Sequence, residues 1–189
     1  MGAEARLKQL GIELSAAPAP MANYVRAVQV GNLLFLSGHG PMKDGKLAYI
    51  GKLGRDMSVE EGRQSARAVG LGLLASAKEA LGSLDRVKRV VKVLGMVNSA
   101  DGFHQQPQVI NGFSDLMVEV FGEAGRHARS AVGMAELPMG ISVEIEMIVE
   151  VADGAGSGGA KAAAKPAAKK PAARTRPAAR RPAARKRRR

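Results

Sequence analysis

Between residues 151 and 154 the chain changes from a sequence that can build a core to one that cannot, and this break limits the fold more than any other feature. From Gly154 onward it holds only Gly, Ala, Ser, Pro, Lys and Arg, apart from Thr175. Pro-Ala-Ala recurs at Pro166, Pro171, Pro177 and Pro182, each time followed by Lys or Arg. Proline interrupts helix, no large apolar side chain is present to bury, and like charges repel, so a disordered segment is expected. Residues 152–189 carry thirteen Lys and Arg against the single acid Asp153, whereas residues 1–151 hold sixteen of each sign. The net charge of +12 therefore belongs to the tail, and the remainder is neutral. The chain divides into an N-terminal lead-in (1–22), a globular domain (23–151) and a cationic tail (152–189).

Composition removes several chemistries from the domain. There is no Cys, which excludes a disulfide scaffold, a zinc ribbon, an iron–sulfur site and a thiol nucleophile. Aromatic residues make up 3% with no Trp, too few for a base-stacking platform. His39, His104 and His127 are widely separated and lack the i, i+4 pairing of a helical zinc site. The opening MGAEARLKQLGIEL lacks the apolar stretch of a secretory signal, and no apolar run is long enough to span a bilayer. A cytoplasmic protein without membrane contact is expected.

Local signals then order the domain. Gly31-Asn32 separates two apolar runs, Tyr24–Val30 and Leu33–Ser37; Gly at the first central position suits a type II′ hairpin turn. Ser58 followed by Glu61 is a capping box. The helix it opens carries Val59, Ala66, Val69, Leu73, Ala77 and Leu81 on one face and stops at Gly82. Its small residues, Gly62, Ala66, Gly70 and Gly72, suggest close packing on a sheet. Residues 87–97 are rich in β-branched side chains and read as a strand. Pro107 opens a second helix with Ile110, Phe113, Met117, Val120 and Phe121 on its apolar stripe, closed by Gly122.

The last two strands are Ala128–Met134 and Ile141–Val151. In the second, Ile141, Val143, Ile145, Met147, Val149 and Val151 alternate with a mostly acidic face, the pattern of a strand with one side on a core. The expected fold is α+β, in the order β-β-α-β-α-β-β, with two helices on one face of a mostly antiparallel sheet. Arg129, Glu144 and Glu146 are expected on the other face, either wet or covered by another subunit.

Residues 126–149, RHARSAVGMAELPMGISVEIEMIV, carry Ala-Arg-Ser, then Leu-Pro, then a Val-Glu-Ile-Glu strand. With Tyr24, the Gly-Asn hairpin and Ser37-Gly38, they resemble the RidA/YjgF family of imine deaminases, over about residues 20–151. The resemblance implies a chorismate-mutase-like fold, a homotrimer with a central barrel, and active sites in clefts between subunits. It implies hydrolysis of small 2-imino acids to 2-keto acids and ammonia, with no cofactor and no metal. By resemblance Arg129 holds the substrate carboxylate and Glu144 holds or activates the attacking water. Tyr24, Asn111, the backbone of Gly38 and Ala131 line the pocket. Ala131 stands where many members have Cys, His39 where many have Gln, and Gly125-Arg126-His127 belongs to one branch. The residue types suit the chemistry, since a planar guanidinium grips a carboxylate through two parallel bonds.

Plainer readings stand beside these. Arg129 and Glu144 on neighbouring strands also read as a structural cross-strand pair. Glu146 and Glu150 read as solvated, the Met residues as core fillers, and His39 as a hydrogen-bonding loop residue near the pocket. A ribonuclease reading finds no paired His and no cluster of metal-binding carboxylates in the sequence. The tail resembles those of linker-histone-like proteins. Lys169, Lys170, Arg174, Arg180, Arg181, Arg185, Arg187 and Arg188 are its candidate contacts to DNA or RNA, without sequence preference and with nucleoid association as a consequence. The rival to the enzyme is a non-catalytic module: a pocket for small carboxylates, or a trimeric scaffold presenting three nucleic-acid-binding arms.

Overall fold

The computed structural model describes residues 1–18, 20 and 22–152. The cationic tail and its candidate contacts lie outside the described residues. Among the described residues three α-helices, α1 (Ala3–Gln9), α2 (Val59–Leu81) and α3 (Gln106–Phe121), accompany seven strands. These are β1 (Ala27–Val30), β2 (Leu33–His39), β3 (Met42–Lys43), β4 (Lys46–Leu47), β5 (Val87–Asn98), β6 (Ala128–Met134) and β7 (Val143–Val151). Five strands form one sheet in the order β1-β2-β7-β5-β6, while β3 and β4 make a separate small hairpin.

Local chemistry sets the element ends. Gly31 takes φ 58° between β1 and β2, a conformation that costs glycine nothing. At the start of α2, Ser58 Oγ accepts from the Glu61 amide while Glu61 Oε2 accepts from the Ser58 amide, at 3.3 and 2.8 Å. Gly82 ends α2 in the left-handed region at φ 79°. Pro107 sits in the first turn of α3, where its missing N–H has no role.

Helices α2 and α3 pack on the sheet over Leu34, Val93, Val97, Ile145, Met147 and Val149, all buried, and bring Leu73, Leu74, Ile110, Phe113, Leu116 and Met117 to the same core. The helices approach closely: a Cβ on Gly112 would collide with the backbone carbonyl of Arg63.

The sheet is mostly antiparallel, as expected, with one parallel pairing, β6 on β5. Two expectations need correction. Strand β5 also pairs with β7 and so separates β6 from β7; Arg129 and Glu144 are not on neighbouring strands. The second correction concerns the lead-in, which holds helix α1. Ala3 and Leu7 are buried, Glu4 accepts from the Leu84 amide at 3.0 Å and pairs with Lys78 at 2.7 Å, and Arg6 Nε donates to the Glu119 carbonyl at 2.9 Å. These contacts fasten α1 to α2 and α3.

The sheet face turned away from the helices carries Val28, Val30, Phe35 and Val132, all exposed, together with Glu144 and Glu146. Among the described residues no helix is long and apolar enough to cross a membrane.

Candidate active site

The residues singled out from the sequence fall into two groups. The first surrounds Glu144. Its position in β7 lies opposite Met96 of β5, and its side chain is half-buried on the open face of the sheet. The register between β2 and β7 slips between Leu36 and His39, a bulge that carries Gly38 under this carboxylate. A Cβ on Gly38 would stand 3.0 Å from Glu144 Cδ and nearer still to Oε1, so glycine leaves the space the carboxylate occupies. Burial, aided by the charge of Glu146, raises the Glu144 pKa above its ordinary value. Tyr24 is exposed on the segment entering β1, at the same end of the strand order.

The second group surrounds Arg129 in the edge strand β6. Arg129 lies opposite Val93, whose side chain is in the core beneath the helices, so Arg129 is on the helix side of the sheet. This corrects the expectation that it shares a face with Glu144. Its Nη1 donates to Asn111 Oδ1 at 2.9 Å and to Ser114 Oγ at 3.0 Å, and Nη2 donates to the Pro107 carbonyl at 3.4 Å. All three acceptors are neutral oxygens of α3. Among the described residues Arg129 has no ion pair, and Nε–H and one Nη2–H meet no acceptor. Burial pulls its pKa down while Asp115 pulls it back; a guanidinium remains charged regardless. Ala131, two residues on, pairs with Gly95 in the ladder and packs against the core on the same side.

The structure therefore brings Gly38 to Glu144, and Asn111 to Arg129, but keeps the two groups on opposite faces of one chain's sheet. A cavity of about 700 Å³ between α1, the segment after it and α2 contains none of these residues, nor does one of about 420 Å³ beside Gly54–Val59 and Phe103.

The histidines take separate positions. His39 is buried towards α2: Nδ1 donates to the Ser37 carbonyl and Nε2 accepts from Ser76 Oγ, both at 2.7 Å. It faces the helix layer rather than the Glu144 side. His127 lies against α3, edge-on to Phe113 at 6.0 Å. Sequence reasoning missed Ser114 as a neighbour of Arg129. The signal was present, because Asn111 and Ser114 are three residues apart on a helix and so share a face.

With this geometry in view, comparison with known proteins identifies the class. Residues 4–151 match the model of the family described as "YjgF/chorismate_mutase-like, putative endoribonuclease", and the chain belongs to that family. Protein TCP17 of Trypanosoma cruzi is 49% identical over 148 residues, covering 78% of this chain and 92% of that protein. The crystal structure of Atu1372 from Agrobacterium tumefaciens is 48% identical with a TM-score of 0.74, covering 79% of this chain and 92% of that one. The 2-iminobutanoate/2-iminopropanoate deaminase of Dermatophagoides farinae is 34% identical over 142 residues, or 74% of this chain and 94% of the relative.

Proposed function

We propose that the protein is a homotrimeric hydrolase that converts reactive 2-imino acids to 2-keto acids and ammonia, in sites assembled between subunits. The observation that carries this reading is the arrangement of Arg129. Its guanidinium is anchored to α3 by neutral acceptors, while Nε–H and one Nη2–H, adjacent donors on its other edge, are left for a ligand. That edge matches the two oxygens of a carboxylate. The relationship to the Dermatophagoides farinae deaminase supports the choice of substrate class.

Two copies are needed because Glu144 faces the other side of the sheet. Strands β1 and β6 are the two edges; placing the β6 edge of one copy near the Tyr24–Gly38–Glu144 region of the next would join both groups around one small molecule. The exposed Val28, Val30, Phe35 and Val132 would be covered in the same assembly.

The chemistry then needs little else. Arg129 fixes the carboxylate and so the neighbouring imine carbon. Water adds to that carbon and the C=N π pair moves to nitrogen, giving a carbinolamine. Glu144 takes the proton from the attacking water and delivers it to the nitrogen. The carbinolamine hydroxyl proton then passes, again through Glu144, to the amino group; C=O forms as the C–N bond breaks and ammonia departs. A carboxylate with a raised pKa is suited to exchanging this proton near neutral pH.

Residues 152–189 are assigned sequence-independent binding to DNA or RNA. If ten of their thirteen cations met phosphates, log affinity would fall with log salt at a slope of about −9. Three tails on one trimer would strengthen binding by roughly 10² through avidity.

The test is release of 2-ketobutyrate from freshly generated 2-iminobutyrate. Wild type should accelerate it, Arg129→Ala should lose at least about ten-fold, and the mass in solution should be three times that of the chain. If wild type matches buffer yet binds 2-ketobutyrate, the enzyme reading fails in favour of a carboxylate-binding module. Nucleic acid retardation that persists after removal of residues 152–189 would sink the tail assignment.

A further inference from the structure

Behind Arg129 lies a short chain of hydrogen bonds whose direction can be deduced. The Gly125 carbonyl can only accept, so His127 Nδ1, 2.6 Å from it, carries the proton. Burial, with a smaller contribution from Arg129, favours the neutral ring. Nε2 of that ring is then an acceptor, and its partner at 3.1 Å is the Ser114 hydroxyl. Having donated there, Ser114 Oγ presents its lone pairs to Arg129 Nη1 at 3.0 Å. Each donation polarises the next oxygen towards being a better acceptor. The edge contact of His127 with Phe113 holds the ring in place.

We propose that His127 is a positioning residue: acting through Ser114, it orients the Arg129 guanidinium so that its free edge is presented to the substrate carboxylate. The inference rests on the reading of Arg129 as the carboxylate-binding group. His127 itself reaches no substrate. Asn111 fixes the same nitrogen from one side, and the Pro107 carbonyl holds Nη2 only at 3.4 Å. The Ser114–His127 pair adds a second short bond at Nη1, which restrains the guanidinium from turning.

The experiment uses the full chain with 2-iminobutyrate as substrate and 2-ketobutyrate as binding probe. His127→Phe keeps the ring packing but removes the acceptor; Ser114→Ala removes the link. Each should raise KM by about ten-fold, the size of one bond to a charged group, with little change in kcat. The double variant should be no worse than either single, because both break one chain. His127→Gln, whose Oε1 can still accept from Ser114, should recover most of the loss. Nitrogen-15 NMR should show slow rotation of the Arg129 guanidinium in wild type and faster rotation in His127→Phe.

An unchanged guanidinium signal in His127→Phe, additive losses, or a fall in kcat alone would overturn the proposal. Failure of the underlying reading looks different: Arg129→Ala would then hydrolyse the imine as fast as wild type. In that event the guanidinium rotation still decides whether His127 orients Arg129.

Discussion

The Glu144 carboxylate occupies the space where a side chain at Gly38 would be, with its Cδ only 3.0 Å from the position of a Cβ. The bulge in β2 makes the approach possible, and the two residues, 106 positions apart, behave as a single feature. Gly38→Ala should displace the carboxylate while leaving the hydrophobic core intact. Imine hydrolysis should fall about ten-fold or more, the cost of moving a reacting group by roughly 1 Å. Steady-state kinetics beside a thermal melt separate this from unfolding, and an active Gly38→Ala protein would remove Gly38 from the site.

The raised pKa of Glu144 also has a consequence for stability. Because the folded form holds its proton more tightly than the unfolded chain, stability falls as pH rises from the ordinary glutamate value through the raised one. Glu144→Gln removes this penalty. The variant should gain on wild type between pH 4 and pH 7 in denaturant midpoint, while losing hydrolysis. A difference that does not change with pH would contradict the burial argument.

His39 acts in the opposite direction. Its burial, reinforced by Arg26 and opposed by the bond to Ser37, lowers its pKa, so the folded form binds fewer protons than the unfolded chain. Stability is present above the ordinary imidazole value and is lost as pH falls from there towards the lowered one. Between pH 7 and pH 5 the urea midpoint of wild type should fall relative to that of His39→Gln. Equal slopes for the two proteins would show that His39 is not the acid-sensitive group.

Two glycines of the helical layer should respond differently to one methyl group. Gly112→Ala drives a Cβ into the Arg63 carbonyl and should cost about 3 kcal/mol, since backbone cannot move aside as a side chain can. Gly72→Ala meets only His39 Cδ2 at 3.7 Å, an ordinary contact. It should be neutral or stabilising by about 0.5–1 kcal/mol through helix propensity. Thermal unfolding of both variants checks the packing of α2 on α3.

Much of the fold is legible where local chemistry decides. Ser58 and Glu61 mark the start of α2, Gly82 its end and Gly31 the hairpin, because capping and left-handed backbone depend on a few adjacent residues. The bounds of β6 coincide with the run Ala128–Met134. Helix α1 is less visible: seven residues of mixed charge are too short to be stable alone, and its stability comes from Leu84, Lys78 and Glu119, far along the chain.

The alternation of β7, the apolar faces of α2 and α3, and the change of charge after Val151 are all readable in the chain. They follow from periodicity and composition, which need no knowledge of neighbours. The placing of β5 between β6 and β7 is visible only once the chain is folded. Strand order is a matter of long-range pairing, and an inserted strand leaves no mark on the segments it separates. That insertion, with the parallel register of β6, turns Arg129 towards α3 and leaves Glu144 on the opposite face, because side chains alternate across a sheet and a strand's register sets which side each one takes.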